Sequence, residues 1–382
     1  MTEKAVSTPV WCLLGKKAGD NTQVRALARE LALDFEEKNI VARPWELLVH
    51  VLPGSSGTLA GIDTQASNAL GPPWPDLVIT AGRRSEQVAL WIRQQSGGQC
   101  RLVHLGRPWA APAVWDLVVT TPQYFLPSQS NVVLNALPLH RPDPMQRQDA
   151  AEYFGAHFQH LPRPWIAVLA GGDSGQFVFT AEKASSLATQ VESMAESCGG
   201  SLLVTDSPRT PMNAVSALQA GLRRPHYYYH CGSGEGNPYQ ALLAMADAFV
   251  VTGESMSMLG EAADTGCPLY IFDLADDPDT PWWKVPHQYR YKPLSHRLAM
   301  QLAPRRMRRD IGRIQDGLVE AGRAQWLKPG ELKAAGRSIA LREPRNMAVV
   351  DASACSDPGP AGPGLASQDL ARAVEAVRRL LK

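Results

Sequence analysis

The sequence predicts an α/β protein with two doubly wound parallel sheets, and three observations predict it. Short apolar runs recur along the chain, they are continuously apolar instead of alternating, and helix-length segments separate many of them. A run that is apolar at every position suits a strand buried on both faces, as in a parallel sheet covered by helices. Strand, helix and strand in repeated succession give the doubly wound arrangement.

In the first half the strand-like runs are VWCLLG (10–15), ELLVHVL (46–52), DLVITAG (76–82), RLVHLG (101–106), DLVVTT (116–121) and NVVLNAL (131–137). In the second half they are WIAVLAGG (165–172), SLLVTD (201–206), HYYYHC (226–231), AFVVTG (248–253) and PLYIFDL (268–274). Helix-like stretches fall at 21–33, 84–96, 180–197, 213–222, 238–247 and 256–265. The pattern restarts at LPRPWIAVLAGG. The stretch around 140–163 is Pro-rich and polar at both ends with a helix-like middle, and reads as a linker. Two Rossmann-like domains are therefore expected, at 1–150 and 160–300, facing each other across a cleft and followed by a helical tail at 301–382. The tail holds DDPDTPWWKVP, a basic helix-like segment at 304–322 and a Pro/Gly linker at 356–364. It closes with SQDLARAVEAVRRLLK, where Leu370, Val374, Val377 and Leu381 recur at helical spacing. That helix is expected to pack on the N-terminal domain.

Composition narrows the class. The 382 residues are 45% hydrophobic and 20% charged, enough for two soluble domains of ordinary size. A net charge of +1 supplies no whole-chain field for nucleic acid or a membrane. The six cysteines lie far apart with no CxxC pair, which argues against a zinc site or disulfide framework and fits a reducing compartment. The apolar run near the N-terminus is too short for a signal h-region, and no run approaches the length of a membrane span. The expectation is a cytoplasmic protein, with peripheral contact at the inner membrane left open.

In open α/β sheets, ligands sit at the C-terminal ends of the strands. In AVLAGGDSGQF, Gly171 and Gly172 directly follow a strand, where glycines let amide donors approach an anion. The spacing fits neither a dinucleotide fingerprint nor a Walker loop, and for the motif taken alone a plain Gly-rich turn is the favoured explanation. LLVTDSPRTP places Ser207, Arg209 and Thr210 after the next strand; an arginine there suits a diphosphate, although Arg209 taken alone is better explained as a solvated loop arginine. CGSGEGNPYQ offers Asn237 as a helix cap.

The stretch VVTGESMSMLGEAADTG ends a strand with Glu254, Ser255, Met256 and Ser257 at a helix start, an anion-binding arrangement. Glu261 fits no capping box, because Ser257 pairs with Gly260 at that offset. One turn behind a phosphate site, its carboxylate is placed to accept bonds from ribose hydroxyls. A solvated glutamate is the competing explanation. The first half supplies Lys16, Gly19, Asp20, Asn21 and Gln23 after its first strand, and Arg83 and Arg84 after DLVITAG. Asp20 also suits a helix cap, and His104, inside an apolar run, suits a core position.

Together GKKAGDNTQ, PDLVITAGRRS, VHLGRP, SPRTP, NPYQALLAMAD and VVTGESMSMLGEAADTGCPLYIF resemble the plant mitochondrial-fission family named for elongated mitochondria, with its bacterial relatives. With no organelle-targeting segment ahead of the first strand, a bacterial member is expected. The resemblance implies a GT-B glycosyltransferase-like architecture with the donor nucleotide on the second domain. It implies the donor diphosphate on Gly171–Gly172 and the Ser255–Ser257 helix start, and the ribose on Glu261. The family usually shows a double arginine where this chain has only Arg209. Gln123 and Tyr124 stand where the family tends to place an acid or histidine.

The leading expectation is a metal-independent transferase. It would use a nucleoside-diphosphate sugar as co-substrate, with no resident cofactor, and an acceptor such as an envelope glycan or lipid. Arg209, the glycine amides and the helix dipole would neutralise the leaving diphosphate. Asp20 would be the base toward the acceptor hydroxyl. The alternatives are a nucleotide-sugar epimerase, which needs an acid/base pair not evident in the sequence, and a non-catalytic scaffold contacting partners through RRMRRDIGR (305–313) or the last helix.

Overall fold

The computed structural model describes residues 10–45, 57–175, 177–234, 236–276, 298, 300–302, 308–342 and 364–382. Tertiary contacts divide the chain into two units. The first comprises Met1–Arg141, Ala303–Asp310 and Leu365–Lys382, and the second Pro142–Leu302 and Ile311–Gly364.

The first unit is a parallel sheet of β1 (Val10–Leu14), β2 (Phe35–Asn39), β3 (Leu77–Ala81), β4 (Arg101–Leu105), β5 (Leu117–Thr120) and β6 (Val132–Leu134). Their order is β2-β1-β3-β4-β5-β6. The helices are α1 (Ala18–Leu31), α2 (Glu86–Gln95) and, from the far end of the chain, a helix over Leu365–Leu380. The unbroken apolar runs follow from the two cores they serve. Val10, Cys12 and Leu14 of β1 pack with Val24, Leu27 and Leu31 of α1 and with Leu370, Ala373, Val374 and Val377 of the last helix. Trp11 and Leu13 point the other way, into a core shared with Val88, Ala89 and Ile92 of α2. Successive strand residues face opposite sides, so both must be apolar.

β2 carries no apolar run: its sequence is FEEKN. It is an edge strand paired with β1, and only Lys38 within it is buried. An edge strand with one covered face tolerates charge, which is why its pattern does not announce it.

The second unit holds β7 (Trp165–Leu169), β8 (Ser201–Thr205), β9 (His226–Tyr229), β10 (Ala248–Thr252), β11 (Leu269–Phe272) and β12 (Gln325–Trp326). All pair in parallel, in the order β12-β11-β10-β7-β8-β9. Its helices are α3 (Pro144–Phe158), α4 (Ala181–Cys198), α5 (Met212–Gly221), α6 (Tyr239–Met245), α7 (Met256–Ala263), α8 (Gly312–Glu320) and α9 (Leu332–Ala340). The last helix, over Leu365–Leu380, is α10. Both units are doubly wound α/β sheets. Among the described residues, no helix is long and apolar enough to cross a membrane.

Two expectations about organisation are corrected. The stretch read as a linker contains α3, which belongs to the second unit and packs on α6 with Phe154 and Phe158 buried. Asp143 caps it by accepting from the Gln146 amide, and Pro144 opens it. The tail is not one module either. Residues 311–342 join the second unit, where β12 extends the sheet and α9 packs on α4, whereas α10 joins the first. The expected strand at 46–52, most of DDPDTPWWKVP, positions 304–307 of the basic segment and nearly all of the Pro/Gly linker lie outside the described residues.

α10 completes a core face, so trimming it should cost as much as trimming the sheet itself. Leu370→Ala is expected to destabilise the protein by about 2–4 kcal/mol in urea unfolding.

Candidate functional site

Each sheet reverses its winding once. In the first unit the order turns at β1 and β3, and in the second at β7 and β10. Loops leaving adjacent strands in opposite directions open a crevice at the strands' C-terminal ends. Many of the sequence-predicted residues fall at one of these two places.

At the β7/β10 crevice, Gly171 and Gly172 do lie against the strand ends, but their amides are already used. Gly171 donates to Thr252 Oγ1 at 2.8 Å and Gly172 to Glu254 Oε1 at 2.7 Å. The approach explains the glycines. A Cβ on Gly171 would stand 1.8 Å from Glu254 Oε1, and one on Gly172 would stand 2.1 Å from the Arg209 carbonyl oxygen. The expectation that these amides meet a diphosphate is thus corrected, because the Thr252 hydroxyl and the buried Glu254 carboxylate take its place. Burial raises the Glu254 pKa above the usual carboxylate range, against Arg209 and the Gly172 amide.

Arg209 bridges the same loops. Its Nη1 donates to the Asp173 carbonyl at 3.3 Å, its Nη2 lies 3.5 Å from Glu254 Oε1, and its side chain stays 43% exposed. Ser207 and Thr210 serve the loop itself. Their hydroxyls lie 3.1 Å apart, the Ser207 amide donates to Thr210 Oγ1, and that hydroxyl bonds to the Gly171 carbonyl. Across the crevice, Ser255 precedes α7 without making a side-chain cap bond. Met256 and Leu259 are buried while Ser257 is exposed, so the first turn of α7 offers backbone donors and one free-standing hydroxyl.

Glu261 and Asn237 have structural occupations. Glu261, half-buried on α7, accepts a bond from the Tyr239 hydroxyl at the start of α6, a hydroxyl on which Arg147 of α3 also acts. Asn237 accepts the Tyr239 amide at 2.9 Å and so holds the beginning of α6.

A carboxylate–imidazole pair escaped the sequence reading. Asp206, buried at the end of β8, accepts from His230 Nδ1 at 2.7 Å, the Cys231 amide at 2.7 Å and the Tyr228 hydroxyl at 3.0 Å. The bond through Nδ1 orients the ring, and His230 remains 38% exposed. Asp206 and His230 are 24 residues apart on neighbouring strands, a pairing visible only once β8 and β9 are side by side.

In the first unit, a cavity of about 500 Å³ opens at the β1/β3 crevice, lined by Lys16, Lys17, Asp20, Gly82, Arg83 and Arg84 among others. α1 starts at Ala18, earlier than expected, which moves Asp20 into its first turn and leaves Lys17 as the cap residue, without a side-chain cap bond. The carboxylate lies 3.9 Å from Lys17 Nζ and would meet a Cβ on Gly82 at 2.6 Å. Burial raises its pKa, against Lys17, Arg309 and Arg84. Gly19 lies in the same turn, its carbonyl accepting from Gln23 Nε2 at 3.4 Å. Asn21 is a staple: its amide group exchanges two bonds with the Gly15 backbone, at 2.9 and 2.7 Å. Arg83 lies over the Trp109 ring. Gln123 is also explained. It receives Arg309 Nε at 3.1 Å on its side chain and the Asp310 amide at 2.8 Å on its carbonyl, which fixes the 308–310 segment to this unit.

Behind the cavity, buried Glu86 accepts the Trp109 and Ala110 amides and lies 3.5 Å from His104 Nε2. His104 is fully buried, as expected of a core histidine, and meets Trp115 edge-on.

The family model described as mitochondrial fission ELM1 matches residues 18–291. The chain is 28% identical over 233 residues to mitochondrial fission protein ELM1 of Arabidopsis thaliana, covering 55% of this chain and 54% of the relative. It thus spans about half the length of that relative. It is 22% identical over 300 residues to an uncharacterized protein of Rickettsia prowazekii, covering 69% of this chain and 82% of the relative. Similar solved structures include a UDP-GlcNAc 2-epimerase from Methanocaldococcus jannaschii in complex with UDP-GlcNAc and UDP. Its TM-score is 0.49 at 11% identity, over 98% of this chain and 99% of that one. A UDP-glucosyltransferase from Polygonum tinctorium gives a TM-score of 0.41 at 10% identity, over 98% and 100%.

The Glu86–His104 pair sets a pH signature. Burial pushes the Glu86 carboxyl up to about 7 from its usual 4.5, and the His104 imidazole down to about 3 from its usual 6.5. A carboxyl raised in the fold stabilises it fully below its unfolded value and loses that contribution as pH climbs through the folded one. An imidazole depressed in the fold costs stability as pH falls below its unfolded value. The two oppose each other between about pH 5 and 6.5, so wild-type stability should be level there and fall toward pH 8. In Glu86→Gln the fall should vanish and stability should rise from pH 5 to 6.5. The gap between the two denaturation curves should change by roughly 3 kcal/mol over the range.

Proposed function

The chain belongs to the mitochondrial fission ELM1 family, and on that premise we propose that it is a nucleotide-sugar-dependent transferase of GT-B type. The second unit binds the nucleoside diphosphate at the β7/β10 crevice, and the first unit holds the acceptor at the β1/β3 crevice. The observation that carries this reading is the start of α7. An eight-residue helix there has no side-chain cap and stands at the end of the strand beside Gly171–Gly172, whose loop is braced by a half-exposed arginine. Helix amides and a guanidinium together suit a diphosphate.

The chemistry follows from that assignment. The acceptor oxygen bonds to the anomeric carbon as the bond from that carbon to the diphosphate oxygen breaks. The acceptor proton passes to Asp20, whose burial makes it a better base than an ordinary aspartate. The first turn of α7 and Arg209 stabilise the departing diphosphate. Glu261 keeps one oxygen on Tyr239 and offers the other to the ribose hydroxyls. Glu254 holds the Gly171–Gly172 loop in shape and does not touch the nucleotide.

A second reading, a nucleotide-sugar epimerase, draws on one observation: the Asp206–His230 pair is an oriented acid/base at the same strand ends. The two differ in whether the nucleotide sugar turns over alone. A transferase should be silent without acceptor. Acceptor-free turnover that His230→Ala abolishes would decide for the epimerase.

Nucleotide binding tests the shared premise. In a thermal-shift screen of nucleoside diphosphates, one base should raise the wild-type melting temperature. Arg209→Ala should weaken that affinity by about tenfold or more, the worth of one charge-assisted bond to phosphate. Glu261→Ala should weaken it too, whereas Tyr239→Phe, which removes only the internal partner, should not. No response to any nucleotide overturns the reading.

A further inference from the structure

We propose that the β1/β3 crevice of the first unit recognises a phosphate group, so that the acceptor is a phosphorylated molecule. The inference deepens the acceptor side of the reading above and rests on it for the word acceptor; the phosphate site itself stands on the first unit alone.

Charge is the first ground. Four cations line the cavity, Lys16, Lys17, Arg83 and Arg84, and Asp20 is the one acid among its described lining residues. The whole chain carries a net charge of only +1, so this concentration is local. Two further arginines act on the groups that line it. Arg309 acts on Asp20 together with Lys17 and Arg84. Arg107 is half-buried over the Tyr124 ring; burial, with Arg309 and Arg83, lowers its pKa against Tyr124 and Glu86. Positive side chains gathered at one strand edge raise the local potential and favour an anionic ligand there.

Geometry is the second ground. The cations come from the loops after β1 and β3, the two strands between which the winding reverses. Lys17 precedes α1 without a side-chain cap bond, so the first-turn amides of a fourteen-residue helix open on the same side as the lysines. Gly82, with φ of 70° and Asp20 Oδ2 only 2.6 Å from where its Cβ would stand, keeps the β3 loop close to that turn. The space, about 500 Å³, takes a phosphate together with part of the molecule bearing it. An uncharged glycan hydroxyl would need none of these cations. A phosphate needs several, with arginine supplying paired donors and lysine a point charge.

The phosphate has two sources, a soluble ester or a lipid headgroup, and the experiment separates them. Inorganic phosphate is titrated by calorimetry, and phosphatidic acid–phosphatidylcholine vesicles are used in co-sedimentation. Both use wild type, Lys16→Glu, Arg84→Ser and Arg209→Ala, each checked for folding by circular dichroism. Phosphate should bind wild type and Arg209→Ala alike and bind Arg84→Ser and Lys16→Glu about tenfold or more weakly. Vesicle binding lost in the same two variants identifies a headgroup; phosphate binding with no vesicle binding identifies a soluble ester. Phosphate binding that survives Arg84→Ser and Lys16→Glu but is lost in Arg209→Ala overturns the inference, as does failure of both probes with wild type. These outcomes do not depend on nucleotide binding. A protein that ignores every nucleoside diphosphate but shows the phosphate pattern refutes the transferase reading and keeps the phosphate site.

Discussion

Parallel strands set the terms for the rest of this structure. A parallel strand can be followed by another only after a crossover, so every strand in a unit ends at the same edge. Each unit reverses its strand order once, at β1/β3 and at β7/β10. The loops at those points part, and the crevice between them receives whatever polar residues the loops carry. The position of both candidate sites is therefore a consequence of topology before any side chain is considered.

The two crevices solve their electrostatics in opposite ways. In the second unit the loops are knitted from within. Glu254 takes the Gly172 amide, Thr252 takes the Gly171 amide, and the Ser207–Thr210 hydroxyl pair ties the β8 loop to the Gly171 carbonyl. A buried carboxylate bonded by an amide and facing an arginine rigidifies such a site, and removing one member leaves the others unpaired. In the first unit the cations outnumber the acids around an open cavity. Asn21 is stapled to the Gly15 backbone there, Ser85 bonds to Thr80, and Lys17 stands 3.9 Å from Asp20.

The aspartates show how burial diversifies one side-chain type. Asp206 is enclosed by three donors and serves to orient His230. Asp20, half-buried in the first turn of α1, has a raised pKa because burial outweighs the cations around it. Asp143 lies at the surface and caps α3. The same carboxylate becomes an orienter, a base or a cap according to the donors the fold brings to it.

Local sequence dictates the α/β class, most of the described strands and the loops that meet at the strand ends. Strands covered on both faces must be apolar at every position, and that requirement is written locally. It did not determine β2, whose edge position lets FEEKN form a strand, nor the sharing of 301–382 between the units. It found Gly172 and Glu254 but not that the one donates to the other, and it missed Asp206–His230. Those facts belong to tertiary structure alone. Each depends on which strand lies beside which, and on how many donors reach one buried carboxylate, neither of which has a local imprint in the chain.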